Sequence, residues 1–514
     1  SSVVEAVQCA VTLQLALADR YANSPHDRRV EVRIGVNLGE VIVEGDDRFG
    51  DGVNIAARLE SLAEPGGVSV SASVYEQVRR KLDILFDDLG TRSLKNIGEP
   101  LQVYRAVIQR PAGGRAAKAV GNLRLPAKPS IAVLPFTNMG GDAEDMFVDG
   151  LSEDIITDLS RNVSLFVIAR HSTFAYKGKA LDIRHIARDL GVRYVLEGSA
   201  RRAAGRVRIN VQLIDAAGGD HLWADRFDRD LEDVFAVQDE VTARVVQALV
   251  GRLTATPPAR NRPNSLEAYD RVVRARALIS SFAGTPDAVR ESEVLTRQAI
   301  AIDPKYAEAY RWLAFSLWSL WNFSIEPAQV MKPQSVAMAE KAVELDPNDA
   351  GNQWVLAYLL AYERRWDESD AHFEAALNLD PNDADTLAMR ADLLALNGNY
   401  EDTLDFIQRA LRLNPQPAGW YYWVEGIAHY VGKRYDAAIE VLMKKETYRS
   451  ASRRVLAASL AQLGRTAEAR QEAALFMATS PTFTISAWTN AQPSRDKATI
   501  DHFADGYRKA GLPE

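Results

Sequence analysis

The chain has 514 residues, which is too long for one hydrophobic core and predicts about three or four domains. Hydrophobic residues make up 47% and charged residues 25%, and the formal net charge of -8 argues against nucleic acid as a partner. Cys9 is the only cysteine, so an internal disulfide and a thiolate metal cage are excluded. This cysteine usage agrees with a reducing compartment, and we predict a cytoplasmic protein.

The sequence contains no uninterrupted apolar run of about 18 residues, so it predicts no membrane span, and its first residues do not resemble a signal peptide. Those first residues already have helical periodicity, because one apolar stripe is formed by Val4, Val7, Val11 and Leu15. We therefore expect the sequence to begin inside a domain. A trimmed N-terminus in an otherwise complete protein is the alternative.

The first unit is predicted to be α/β and to cover residues 1–108. Apolar and polar residues alternate through the stretch RVEVRIGVNLGEVIV, residues 29–43, which indicates a strand. A helix is predicted over about 52–62, and further strands near 68–70 and 102–107. Residues 109–129 are rich in Pro, Gly and Ala without apolar periodicity, which predicts a linker.

A second α/β domain is predicted over residues 130–253. It opens with the apolar run IAVLPF and continues into a helix over about 142–160. A later strand alternates clearly, with Val207, Ile209, Val211 and Leu213 on one face. A helix over about 233–253 closes the domain, and the Pro-rich stretch 254–265 predicts a second linker.

The remaining residues, 266–514, are predicted to form an all-α solenoid of stacked helical hairpins. Similar phrases (AIAIDP, AVELDP, AALNLDP and ALRLNP) end at Pro304, Pro347, Pro381 and Pro415, and the last two intervals are both 34 residues. The first interval is 43 residues, so it requires an insertion, which we place in the irregular stretch 319–334.

The segment FGDGVNIAARLES, residues 49–61, resembles the signature of class III adenylate and guanylate cyclases. The preceding RIGVNLGEV and the later SLKNIGEPLQVYRA agree with this resemblance. It covers residues 1–108 and implies the C-terminal part of a cyclase domain with a partial ferredoxin-like fold. An isolated Asn and Arg on one helix face would more often be a solvated surface pair, but here the residue types and the spacing match together.

The resemblance implies a role for four residues. Asn54 would orient the ribose, and Arg58 would stabilise the transition state. Asp51 would read the base, because a carboxylate accepts a hydrogen bond from the adenine amine and repels the guanine carbonyl, which favours ATP over GTP. Outside this signature Asp51 would be an ordinary turn residue. Lys95 would contact the terminal phosphates, although the family often has glycine where this chain has Asn96.

Cyclisation is an in-line attack of the ribose 3′ hydroxyl on the α-phosphorus, and it depends on positioning and on stabilisation of negative charge. Class III cyclases use two Mg²⁺ or Mn²⁺ ions held by two aspartates. We expect those aspartates upstream of Ser1, because no pair near the start, such as Glu5 with Asp19, has the right context. The chain is therefore predicted to be inactive alone. The family active site forms between two domains, so we also expect a homodimer.

The central domain resembles TolB-type N-terminal domains through phrases such as FVDGLSEDIITDLSR and HLWADRFDR. Its histidines, His171, His185 and His221, have no metal-ligand spacing and are interpreted as structural or surface residues.

The last region resembles tetratricopeptide repeats, with Phe373, Ala376, Ile407 and Ala410 at packing positions. The aromatic residues 420–423 are assigned to packing in preference to a binding surface. Such arrays commonly bind a peptide or another protein.

Together these patterns favour a fragment of an adenylate cyclase that converts ATP to cyclic AMP and is regulated by its central and repeat domains. The alternative is a non-catalytic scaffold whose repeats bind partner proteins and whose cyclase remnant is degenerate. A transcriptional regulator has little support, because neither a helix-turn-helix segment nor a basic stripe is present in the sequence.

Overall fold

The structure is a computed structural model, and it describes residues 3–20, 32–39, 42–44, 47–79, 86–92, 100–106, 123, 125–141, 144–179, 181–203, 205–250, 261–279, 285–323, 325–444, 446–447 and 449–514. The chain divides into two compact units, Ser1–Ala119 and Val120–Glu514. Within the described residues, no helix combines the length and the apolar character needed to cross a membrane.

The first unit is α/β, as the sequence predicts. Its elements are α1 (Val3–Arg20), β1 (Ile34–Val36), β2 (Ile42–Glu44), β3 (Asp47–Phe49), α2 (Asp51–Leu62), β4 (Val68–Ser71), α3 (Ala72–Val78), β5 (Phe86–Arg92) and β6 (Leu101–Ala106). The main sheet has the order β1-β4-β6-β5, with β1 parallel to β4 and the other pairs antiparallel. Strands β2 and β3 form a separate hairpin.

Helix α1 is held against the sheet by its apolar stripe. Val7 is fully buried in the core of this unit, and Val4 and Val11 pack against that core. The Gln14 side-chain amide donates to the carbonyl oxygens of Val32 and Gly67, at 2.7 and 2.9 Å. These bonds satisfy backbone groups next to β1 and β4 and fix α1 to the sheet.

The second unit begins with an α/β domain. Its elements are β7 (Ser130–Val133), β8 (Thr137–Asn138), α4 (Asp145–Ser160), β9 (Phe166–Val167), α5 (Arg170–Phe174), α6 (Ile183–Leu190), β10 (Tyr194–Ala203), β11 (Arg206–Asp215), β12 (Asp220–Asp230) and α7 (Val234–Val250). The sheet order is β12-β11-β10-β7-β9, and β8 pairs with β10. The alternation predicted in β11 is confirmed, because Val207, Ile209, Val211 and Leu213 are all buried in the core that contains α4 and α7.

The rest of the second unit is helical. It contains α8 (Leu266–Ile279), α9 (Pro286–Ile302), α10 (Ala307–Asn322), α11 (Ala328–Leu345), α12 (Ala350–Tyr362), α13 (Trp366–Leu379), α14 (Ala384–Leu396), α15 (Tyr400–Leu413), α16 (Gly419–Val431), α17 (Tyr435–Leu442), α18 (Arg449–Gln462), α19 (Thr466–Thr479), α20 (Ile485–Ala491) and α21 (Lys497–Lys509). From α8 to α19 the helices pack as consecutive hairpins, which confirms the solenoid.

The structure differs from the sequence analysis at the expected irregular insertion, residues 319–334. Most of this stretch is helical, because it forms the end of α10 and the beginning of α11. These helices have 16 and 18 residues, whereas α12 and α13 have 13 and 14. The longer first interval is therefore accommodated mainly by longer helices. Pro333 is the sixth residue of α11, and the helix continues through it although proline cannot donate a backbone hydrogen bond there.

The predicted packing positions of the repeats are confirmed. Phe373, Ala376, Ile407 and Ala410 are fully buried in the main core of the array. In the aromatic stretch 420–423, Trp420 and Tyr421 are buried in the same core, and Trp423 packs against it. These aromatic side chains therefore stabilise contacts between hairpins.

The α/β domain and the repeats share a buried ionic contact. Arg276 of α8 is almost fully buried, and its guanidinium lies 3.1 Å from Glu153 of α4 and 3.0 Å from Glu308 of α10. Asp154 of α4 lies 3.6 Å away. Helices α4 and α8 also approach closely, because a Cβ added at Gly150 would lie 2.8 Å from the Val273 side chain.

We predict that Arg276→Met destabilises the second unit by roughly 3–5 kcal/mol, because it removes the cation shared by the buried Asp154 and Glu308 and the partly buried Glu153. The measurement is the free energy of unfolding from urea denaturation, monitored by tryptophan fluorescence. The control is Arg274→Met on the same helix, whose exposed ion pair with Glu291 contributes less than about 1 kcal/mol. Equal losses in the two variants would contradict the importance assigned to the buried contact.

Candidate active site

The structure places three of the four predicted site residues on helix α2. Asp51 is its first residue, and Asn54 and Arg58 follow after one and two turns, so the three side chains share a narrow face. Asp51 and Asn54 are exposed and Arg58 is partly buried, whereas Gly52 and Leu59 are buried. The fourth residue, Lys95, lies outside the described residues.

Helix α2 is positioned by a very close approach to strand β1. A Cβ added at Gly35 would lie 2.2 Å from the Ala56 carbonyl oxygen and 2.3 Å from the Glu60 amide nitrogen. Both atoms belong to the helix backbone, so they cannot rotate away as a side chain would. Glycine at position 35 therefore sets the distance between the sheet and the helix that carries the site.

The beginning of α2 is fixed by two further contacts. Gly50 precedes the helix with a φ of 125°, a conformation that favours glycine, and its carbonyl oxygen accepts from the Val53 and Asn54 amides at 3.1 Å. The Asn37 side-chain amide, just after β1, donates to the Gly52 carbonyl oxygen at 3.2 Å. These contacts hold the first turn, which contains Asp51 and Asn54, against the end of β1.

The site offers hydrogen-bonding groups and one fixed positive charge. The Arg58 guanidinium can bind phosphate oxygens, and the Asn54 amide can donate and accept hydrogen bonds with hydroxyl groups. Within the described parts of the chain, no group of three His, Cys, Asp or Glu side chains could hold a metal ion. The described residues of α2 therefore offer groups that can bind a ligand carrying phosphate and hydroxyl groups.

Three family models match successive parts of the chain. Residues 1–106 match the Adenylate and Guanylate cyclase catalytic domain. Residues 127–244 match the second domain of HilA/YgeH-like transcriptional regulators, and residues 372–405 match the Tetratricopeptide repeat. The resemblances to cyclases and to tetratricopeptide repeats found in the sequence are confirmed.

The chain is similar to a curated protein named "Putative adenylate cyclase 3" from Rhizobium meliloti (strain 1021). The two are 46% identical over 378 residues, which cover 72% of this chain and 64% of that protein. The chain thus spans less than two thirds of the length of this relative.

Two solved structures are similar to parts of the chain. The adenylate/guanylate cyclase/hydrolase of Silicibacter pomeroyi is 38% identical, and the match covers 21% of this chain and 63% of that chain with a TM-score of 0.20. TolB of Acinetobacter baumannii is 20% identical, and the match covers 25% of this chain and 30% of that chain with a TM-score of 0.19.

The sequence analysis did not identify the residues that position α2. From the sequence, Gly35 and Asn37 are predicted only as residues of a strand. A glycine inside a strand often marks a close backbone approach, so Gly35 was the available signal for the contact with α2. The contact of Asn37 with Gly52 joins residues that are 15 positions apart. Such a contact depends on the fold and leaves no periodic pattern.

We predict that Gly35→Ala disrupts the packing of α2, because the added methyl group would overlap two backbone atoms of the helix. Overpacking of this kind costs roughly 1–3 kcal/mol. Hydrogen exchange of the α2 amides should accelerate accordingly. The control is Gly141→Ala, where the added Cβ meets nothing within 4 Å. Unchanged exchange in α2 of the Gly35→Ala variant would show that β1 does not set the position of the helix.

Proposed function

We propose that this chain is part of an adenylate cyclase that converts ATP to 3′,5′-cyclic AMP and pyrophosphate. The observation that carries the proposal is the common face of α2, on which Asp51, Asn54 and Arg58 project with their spacing fixed by the helix. The cyclase family match over residues 1–106 supports the reaction class. The name of the Rhizobium meliloti relative supports ATP as the substrate.

In the proposed reaction the ribose 3′ oxygen forms a bond to the α-phosphorus, and the bond from that phosphorus to the pyrophosphate oxygen breaks. Negative charge increases on the phosphoryl oxygens during this step. The Arg58 guanidinium would donate to those oxygens, and because Arg58 is partly buried its position is restricted before the substrate binds. Arg58 therefore lowers the barrier more than it strengthens ground-state binding.

Asn54 and Asp51 would orient the nucleotide. The Asn54 amide would hydrogen-bond to the ribose and hold the 3′ oxygen in line for attack. The Asp51 carboxylate, at the exposed start of α2, would accept a hydrogen bond from the adenine amine. Each of these roles uses a side chain that the helix presents on its accessible face.

We expect the active enzyme to use Mg²⁺ or Mn²⁺, but the described residues do not offer the ligands, so we assign no step to the ions. Because class III active sites form between two cyclase domains, we propose that the intact protein acts as a homodimer.

We assign regulatory roles to the central domain and the repeats. The central domain matches a domain of transcriptional regulators, which supports a role in regulation, and tetratricopeptide repeats commonly bind proteins. A non-catalytic scaffold remains the alternative function, and the following test distinguishes it from the enzyme.

The test is cyclic AMP formation from ATP with Mn²⁺ by the full-length protein. We predict activity, and we predict that Arg58→Ala lowers kcat roughly 10²–10³-fold with a smaller change in KM, because one charge-stabilising donor is lost. The control is Arg79→Ala, an arginine of the same unit whose contact is an exposed ion pair with Glu76. No activity in the full-length protein would favour the scaffold, whereas equal losses in both variants would remove Arg58 from its proposed role.

We also predict that Asp51→Asn weakens the preference for ATP over GTP. The amide removes the negative charge and adds a donor that can face the guanine carbonyl, so the ratio of kcat/KM values should fall on the order of tenfold. The measurement compares cyclic AMP formation with cyclic GMP formation by the full-length protein. A ratio unchanged by Asp51→Asn, in a variant that remains active, would remove Asp51 from base recognition.

A further inference from the structure

A row of four polar side chains lies along one edge of the repeat array. We call these residues, Asp303, Asp346, Asp380 and Asn414, the turn row. Each of them follows the last residue of the second helix of a hairpin, namely α9, α11, α13 and α15. All four are buried. The turn row therefore repeats once per hairpin and is covered along its whole length.

In the three aspartates, one carboxylate oxygen serves the local turn. Each Oδ1 atom accepts from the backbone amide two residues later. The distances are 3.2 Å from Lys305 to Asp303, 3.1 Å from Asn348 to Asp346 and 3.0 Å from Asn382 to Asp380. This bond is the ordinary Asx-turn contact. It leaves the second oxygen, Oδ2, available for a donor outside the turn.

In each aspartate this Oδ2 atom accepts from a donor outside the hairpins, namely the Asn264 amide to Asp303 at 2.6 Å, the Asn261 amide to Asp346 at 2.9 Å, and the Ser160 hydroxyl to Asp380. Asn414 has a single side-chain oxygen, Oδ1, and it accepts from the Ser172 hydroxyl at 2.6 Å. Ser160 and Ser172 belong to α4 and α5 of the α/β domain. Residues 261 and 264 precede the first repeat helix.

Other contacts continue the same surface. The Ala169 amide donates to the Leu413 carbonyl oxygen at 2.9 Å. The Arg412 guanidinium donates to the carbonyl oxygen of Gly191, which follows the end of α6, at 2.9 Å. These bonds join main-chain groups of the α/β domain to the last two residues of α15, next to Asn414.

Burial gives the turn row a strong requirement for donors. Burial and the neighbouring Asp383 raise the pKa of Asp380 to about 7. A buried acceptor without a partner costs roughly 1–3 kcal/mol. Each side chain of the row is therefore stabilised by the donor that it receives from outside the hairpins.

We propose that the turn row is a docking edge with which the repeats bind the chain's own α/β domain, through Asp380 and Asn414, and the segment that joins this domain to the repeats, through Asp303 and Asp346. The partner that it fits is a protein surface that presents hydroxyl or backbone N–H donors at the spacing of the hairpins. The α/β domain and the preceding residues 261–264 supply these donors, so this edge is not open to a separate peptide. The proposal is independent of the cyclase activity, since it concerns only the second unit.

The test is hydrogen exchange on the full chain, with the amides of Ala169, Asn261 and Asn264 as probes. The Ser160→Ala/Ser172→Ala double variant removes both hydroxyl donors, and exchange at Ala169 should accelerate at least about tenfold. The control is Ser335→Ala/Ser459→Ala, since these two serines are equally buried and donate only to carbonyl oxygens of their own helices. The control should leave Ala169 protected.

Two results would overturn the proposal. One is exchange of the Ala169, Asn261 and Asn264 amides in the unaltered chain at the rate of an unstructured peptide, which would mean that the edge is open in solution. The other is an equal effect of both double variants. If the Ser160→Ala/Ser172→Ala variant loses its helical content, Asp346→Ala replaces it. The Asp346→Ala change removes the acceptor of the Asn261 amide and should accelerate hydrogen exchange at this amide about tenfold.

Discussion

The buried guanidinium of Arg276 is the contact on which the second unit depends. Burying such a charge is unfavourable unless carboxylates and hydrogen bonds surround it. Here the carboxylates come from α4 of the α/β domain and from α10 of the repeats, so neither region satisfies the charge alone. Tyr269 and Val273, on the same helix as Arg276, also complete the apolar core of the α/β domain. The two regions predicted separately from the sequence thus belong to one compact unit in the structure, and Asp380 and Asn414 of the turn row extend their contact to the third and fourth hairpins.

The patterns that depend on local periodicity predicted much of this fold. Alternation identified β11, and the 34-residue repeat placed Phe373, Ala376, Ile407 and Ala410 in the core. These predictions succeed because burial repeats with the period of the element. The face of α2 was also predictable, since a helix fixes the relative directions of residues 51, 54 and 58. The roles of these residues in a reaction stay predictions, and Lys95 lies outside the described residues.

Contacts between distant segments could not be predicted in the same way. Ser160 and Ser172 are ordinary helix residues in the sequence, and only the fold brings them to Asp380 and Asn414. Likewise, the proximity of Gly35 to α2 depends on how the helix lies on the sheet. In the stretch 319–334 the sequence predicts irregular structure, because it contains proline and aromatic residues, but two long helices meet there. In each case packing between elements decided the outcome, and single-segment propensities did not.

The donors of the turn row are also ordered by their separation along the chain. Asn264 is 39 residues from its acceptor and Asn261 is 85, whereas Ser160 and Ser172 are 220 and 242 residues from theirs. Closing a longer loop costs more conformational entropy, and contacts of high sequence separation slow folding. The hairpins can therefore assemble before the last two bonds form, with residues 261–264 already in place. Docking of α4 and α5 then becomes the late step, and a chain still emerging from the ribosome would expose the hydroxyl donors of its α/β domain until the fourth hairpin is complete.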